Sequence, residues 1–224
     1  LDEHKQLKAL CENLGIDYLC TPFSAVAADI LDKELDLKAF KTGSGELTNI
    51  PLLKHIASKG RPMIISTGMA LIEEIQETVD AIKETGTPFA LTHCVSAYPT
   101  PYNRVNLHNI PRYRELFDVP VGLSDHSIGI YTAIGSVALG ASVIEKHFTL
   151  DKLQSGPDHP VSLEPYDLGE LVKGCSAVFE ARGDKREIFP EEEPIIAWAR
   201  ESVVSEIEIK AGTKITKDMV WVKR

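Results

Sequence analysis

No stretch of this sequence stays apolar for anything near the roughly 20 residues that a membrane-spanning helix requires. Its opening residues, "LDEHKQLKALCENLG", also lack the charged, apolar and small-residue regions of a signal peptide. Basic residues are scarce: 24 Lys and Arg stand against 33 Asp and Glu, a net charge of −9. That balance removes any general attraction for nucleic acid or an anionic membrane, so an anionic small molecule has to be met by a local basic pocket. Cysteine is sparse and scattered. Cys11, Cys20, Cys94 and Cys175 form no C-x-x-C pair and no metal-like spacing, which fits a reduced, cytoplasmic protein.

What is present is enough for a sizeable core: 43% of the 224 residues are hydrophobic, sufficient for one large domain or one domain with a small appendage. Leu7, Leu10, Cys11 and Leu14 fall at helical spacing and Gly15 is a stop signal. The chain is therefore expected to open on a helix already under way, inside a larger protein. Six short apolar runs follow, near 17–24, 39–46, 62–69, 89–99, 119–127 and 142–150. Amphipathic stretches such as "LIEEIQETVDAIKETG" (71–86) and "YTAIGSVALG" (131–140) lie between them. Ser44, Ser66, Cys94, Ser124 and His147 succeed one another at intervals of 22, 28, 30 and 23 residues, a spacing that suits βα units joined by right-handed crossovers. The runs are nearly continuous in apolar residues, as strands buried on both faces are.

An open doubly wound sheet concentrates its ligand site at one switch point, whereas a (β/α)8 barrel spreads polar residues over the C-terminal ends of many strands. Here each run ends in polar chemistry: Thr21; Lys41, Ser44 and Glu46; Ser66; Ser96 and Tyr98; Ser124, Asp125 and His126; Glu145, Lys146 and His147. The expected fold class is α/β, a (β/α)8 TIM barrel whose first two strands are missing from this chain. A partial barrel is expected over 1–183, a charged linker with two prolines over 184–199 and a small β-rich module over 200–224, with a turn at Ala211–Gly212.

His126 and His147 lie 21 residues apart, each at the end of an apolar run. On neighbouring barrel strands two imidazoles can reach one divalent ion; equally, either ring can cap a strand by hydrogen bonding. "KTGSGE" combines Lys41, two glycines, Ser44 and Glu46, a set that can hold a phosphate through backbone N–H groups and side chains, or form an ordinary glycine turn. Ser66 in "STGM" reads as a helix N-cap, or as a phosphate ligand at that helix N-terminus. His93 and His159 read as structural, Asp158 as a group for hydroxyls on a polar substrate, and Met63 and Met69 as core.

Taken in order, "TPFS", "KTGSGE", "STGM", "HCVSAYPTPY", "GLSDHS", "EKHFT" and "GPDHPVSLEP", followed by "ESVVSEIEIKAGTKITKDM", resemble the sialic acid synthase family over essentially the whole chain. The resemblance implies a barrel followed by an antifreeze-like (SAF) domain, of which 200–224 would be an incomplete part. It implies condensation of phosphoenolpyruvate with an N-acylmannosamine-type sugar, N-acetylmannosamine above all. It further implies a divalent metal, Mn2+ or Mg2+, on His126 and His147, polarising the sugar aldehyde. By the same carry-over Thr21, Lys41, Ser44, Ser66, Ser96 and Ser124 contact phosphoenolpyruvate, Glu46 is the catalytic carboxylate, and Tyr98 and Asp158 face the sugar. Ser96 stands where some members carry asparagine. The family's early-strand glutamate and lysine, and an arginine of its antifreeze-like domain, have no counterpart in these residues. The resemblance also implies a homodimer, and neither nucleic acid nor membrane is an expected partner. Alternatives are a legionaminic or pseudaminic acid synthase, a 9-phosphate synthase with a 6-phosphorylated acceptor, or a non-catalytic sugar-binding fragment.

Overall fold

Five of the six apolar runs become strands: β1 (Phe40–Thr42), β2 (Met63–Ser66), β3 (Phe89–Cys94), β4 (Val121–Asp125) and β5 (Ile144–Lys146). All pair in parallel in the order β1-β2-β3-β4-β5, so each strand lies beside its successor. The computed structural model describes residues 1–224, in two units, Leu1–Arg182 and Gly183–Arg224.

Seven helices belong to the first unit: α1 (Asp2–Asn13), α2 (Ala25–Leu35), α3 (Ile50–Ala57), α4 (Ile72–Lys83), α5 (Asn109–Phe117), α6 (Tyr131–Ala138) and α7 (Pro165–Ala181). Their boundaries follow local chemistry. Ser24 Oγ accepts the Ala27 N–H and opens α2, Asn49 Oδ1 accepts the Leu52 N–H and opens α3, and the Glu74 carboxylate accepts the Leu71 N–H ahead of α4. Asp36 and Asp118 end α2 and α5 in the left-handed conformation.

Side chains alternate across the strands. Phe40, Met63, Ile65, Leu91, Val121 and Leu123 are buried, in one core with Leu53, Ile56, Ile75, Val79, Ile82 and Ile110 of the helices. The intervening positions, Lys41, Ser66, Thr92, Ser124 and Glu145, take the other face. Parallel register sets them side by side, with Ser66 opposite Thr92, Cys94 opposite Ser124, and Ser124 opposite Glu145. The sheet curls into a half-barrel with β1 and β5 at its edges, in keeping with the barrel class read from the sequence.

Three expectations need correction. Residues 17–24 form no strand: Tyr18 and Cys20 pack against the core, but the segment has no ladder partner, and Pro22 brings no N–H to one. Ser66 is no N-cap, because it ends β2 and α4 begins only at Ile72. Met69 is not core; it is 73% exposed, with φ +61°.

In the second unit α8 (Glu193–Ala199) occupies the stretch expected to be a linker. β6 (Ser202–Ser205) and β7 (Val220–Lys223) pair antiparallel. A turn at Ala211–Gly212 is closed by the Thr213 N–H to the Lys210 carbonyl, with Gly212 at φ +86°.

Candidate active site at the C-terminal ends of the strands

A cavity of about 390 Å3 opens where the strands end. Of the expected site residues, Lys41, Ser44, Ser66, Ser96, Tyr98, Ser124, His126 and His147 line it. Thr21, Glu46 and Asp158 do not. Thr21 lines an adjoining recess shared with Lys41 and Glu145. Glu46 accepts a hydrogen bond from Asn49 Nδ2 at 2.7 Å. Asp158 lies outside the lining, with one carboxylate oxygen 3.8 Å from His147 Nδ1.

One end of the cavity is built from β1, β2 and the turns after them. The Lys41 ammonium donates to Ser66 Oγ (2.6 Å) and to the Thr42 carbonyl (2.9 Å), and lies 3.2 Å from the Glu145 carboxylate. Ser66 Oγ is also 2.8 Å from Thr92 Oγ1. Ser44 Oγ accepts the Gly68 N–H at 3.0 Å. An ammonium, several hydroxyls and a backbone N–H thus converge, the donor set that a phosphate takes. Gly68 lies close against this set: an added Cβ would force the side-chain ends of Ser96, Ser44 and Cys94 to shift.

The opposite end is aromatic. The imidazoles of His126 and His147 are 5.2 Å apart between centroids and nearly perpendicular. Tyr98 lies against both, 4.1 Å from His126 and 5.6 Å from His147. His126 Nδ1 donates to the Val95 carbonyl at 2.9 Å, which leaves the Nε2 lone pair free in the neutral ring. Burial pulls the His147 pKa down and the neighbouring His126 adds to this, so His147 tends to the neutral form. Burial acts the same way on His126, but Cys94, the Val95 carbonyl and Glu145 outweigh it and raise its pKa. Tyr98 is raised by burial and by the negative groups around it. A free Nε2 beside a second imidazole fits the two-histidine share of a divalent metal shell. No third His, Cys, Asp or Glu completes such a cluster, so other ligands would be water or substrate oxygens.

Phe23, Met69, Cys94 and Glu145 also line the cavity; of these the sequence had placed only Glu145 among the polar residues at the strand ends, and had given none a specific role. Cys94 was legible in principle: Thr92, Cys94 and Ser96 share one face of a period-two run. That alternation turns His93 the other way, where it is 4% exposed and its Nε2 bonds the Val105 carbonyl at 2.7 Å. His159 bonds Thr149 Oγ1 at 2.7 Å, a structural role as expected.

The model of the NeuB family matches residues 1–187. An N,N'-diacetyllegionaminic acid synthase of Campylobacter jejuni is 41% identical over 100% of this chain and 68% of its own length. An N-acetylneuraminate-9-phosphate synthase of Mus musculus is 39% identical over 99% of this chain and 62% of its own. An uncharacterized protein of Methanocaldococcus jannaschii is 44% identical, and the chain spans 66% of it. Among solved structures, an N-acetylneuraminic acid (sialic acid) synthetase of Leptospira borgpetersenii superposes with TM-score 0.79 at 35% identity, over 87% of this chain and 70% of that one. A phospho-2-dehydro-3-deoxyheptonate aldolase of Thermotoga maritima, at TM-score 0.70 and 19% identity over 81% of this chain and 56% of that one, shares the fold.

Proposed function

The chain belongs to the NeuB family, and on that premise we propose that it condenses phosphoenolpyruvate with an N-acylmannosamine-type sugar, N-acetylmannosamine in the first instance, and releases phosphate. The observation that carries this reading is the division of one cavity of about 390 Å3 into a phosphate-type end and a two-imidazole end.

Lys41, Ser44 and Ser66 hold the phosphate, with Thr92 fixing the Ser66 hydroxyl. Ser124 on β4 and Ser96 in the loop after β3 add hydroxyls. This clamp orients the methylene carbon towards the imidazole end, where the aldehyde of the open-chain sugar lies, and so lowers the entropic part of the barrier. The C–C bond forms between that methylene and the aldehyde carbon. Water adds to the former enol carbon, and the C–O bond to phosphate then breaks. Positive charge developing at that carbon is favoured by the nearby Glu145 carboxylate. Glu46 is assigned the proton of the attacking water, for which its carboxylate exchanges the Asn49 contact for the cavity. Tyr98 and Asp158 are assigned to the sugar. A divalent cation, Mn2+ or Mg2+, held by His126 and His147 supplies Lewis-acid polarisation of a carbonyl when bound.

An unphosphorylated acceptor is favoured, because Lys41 is the sole lysine or arginine lining the cavity and is already committed to the phosphate end. The homodimer and the antifreeze-like identity of the second unit belong to the same proposal. The test is phosphate release from phosphoenolpyruvate by the full-length protein with Mn2+ and a panel of acceptors. Release with N-acetylmannosamine is expected. Release confined to its 6-phosphate or to a diacetamido sugar would replace the acceptor assignment, and no release with any sugar would favour a sugar-binding role.

A further inference from the structure

Immediately before each candidate metal-binding histidine stands a charged residue whose side chain is buried. Asp125 and Lys146 are opposite one another in the β4–β5 ladder, so the next residues on the two strands are His126 and His147. Asp125 Oδ2 and Lys146 Nζ meet at 2.9 Å, with 1% and 2% of their side chains exposed. Neither lines the cavity of the histidines. They pack on the other side of the sheet, where Thr132 of α6 donates to Asp125 Oδ2 at 2.7 Å. Asp125 Oδ1 accepts the Ser127 N–H at 2.9 Å, and Lys146 also donates to the Ser127 carbonyl.

A buried ion pair is a poor way to gain stability, because desolvation of both charges offsets their attraction and apolar residues of similar volume often do better. What this pair does is geometric. Its bonds hold the N–H and the carbonyl of Ser127, just after His126, to the side chains of Asp125, just before it, and Lys146, just before His147.

We infer that the Asp125–Lys146 pair is a positioning device that fixes the separation of His126 and His147, and thereby the affinity of the site for a divalent cation. This rests on the proposed role of the two histidines. Outer groups that orient metal ligands change affinity by about ten- to hundredfold when lost.

The test is Mn2+ binding to the full-length protein, measured by the electron paramagnetic resonance of free Mn2+, alongside thermal melting. In the double variant Asp125→Leu/Lys146→Met a melting temperature close to or above wild type is expected, with Mn2+ bound about ten- to hundredfold more weakly. The dissociation constant for phosphoenolpyruvate, held chiefly by Lys41, Ser44 and Ser66 on β1, β2 and the turn after β1, should stay within about twofold. A folded double variant that binds Mn2+ like wild type overturns the inference and leaves the histidine assignment standing. If the double variant does not fold, Thr132→Val decides. It removes one bond of the brace and should weaken Mn2+ binding about two- to fivefold; unchanged affinity overturns the inference. Wild-type Mn2+ binding that survives His126→Ala and His147→Ala overturns both the inference and the metal assignment beneath it.

Discussion

Replacing Gly68 by alanine tests the phosphate end of the cavity by one methyl group. Gly68 follows β2, is buried, and has a φ outside the left-handed region, so the cost of Gly68→Ala is collision alone. The added Cβ would lie 2.7 Å from Ser44 Oγ and 3.0 Å from Cys94 Sγ, and nearest of all to Ser96 Oγ. To regain ordinary contact Ser44 Oγ must retreat by roughly 0.7 Å. It then abandons the Gly68 N–H that it accepts at 3.0 Å. A buried N–H left without an acceptor costs about 1–3 kcal/mol. Ser44 and Ser96, the two nearest of the displaced groups, are proposed ligands whose hydroxyls face the cavity, so most of that cost should fall on the bound state. At about 1.4 kcal/mol per factor of ten, KM for phosphoenolpyruvate should rise roughly five- to 150-fold. The assay is steady-state phosphate release at varied phosphoenolpyruvate and saturating sugar, with the melting temperature followed in parallel and expected to fall by no more than about 4 °C. A KM within twofold of wild type in a normally folded variant would refute the steric reasoning. A large loss of melting temperature with KM unmoved would show that Gly68 serves packing instead.

Lys41→Met should raise KM for phosphoenolpyruvate roughly 10- to 150-fold, the worth of a hydrogen bond to a charged group, and leave KM for the sugar within a factor of about two; equal effects on both would contradict the division of the cavity. His93 gives a pH prediction. Burial holds its folded pKa below the ordinary value, against the raising effect of the Val105 carbonyl. As pH falls, the unfolded chain therefore takes up this proton first. Stability should be intact above about pH 6.5 and decline as pH drops from there towards the depressed folded value. Urea unfolding between pH 8 and 5 reads this, and His93→Gln should flatten the slope; an unchanged slope would count against the assignment. Gly169, exposed in α7 with nothing near its Cβ position, should accept alanine with a gain of about 0.5–1 kcal/mol, seen as a rise in melting temperature, and a fall would contradict the helical geometry.

The sequence carried the strands and the rim of the site for a local reason. Each βα unit repeats the same polarity, an apolar run ending in polar residues, so Lys41, Ser66, Ser124, His126 and His147 were identifiable without coordinates. Residues 17–24 looked similar, but a strand is made by ladder bonds to a partner distant in sequence, and no run reveals whether it has one. The same limit hid the brace behind the histidines. Asp125 and Lys146 were visible as charges, yet their burial and pairing depend on the β4–β5 register. Of the two readings of Ser66, the N-cap one fails because "STGM" has N-cap composition while the helix starts five residues after its threonine, at Ile72. Met69 was misread because an apolar side chain was assigned to the core without regard to a loop held at positive φ.

The proposal that this cavity condenses phosphoenolpyruvate with a sugar aldehyde and loses phosphate from carbon is tested most directly by isotope. Phosphoenolpyruvate carrying 18O in the oxygen that bridges carbon and phosphorus is given to the full-length protein with N-acetylmannosamine and Mn2+, and the released phosphate is analysed by mass spectrometry. The expected result is sugar-dependent release with the 18O in the phosphate, since the C–O bond breaks. Phosphate free of 18O, or release at the same rate without sugar, would contradict it.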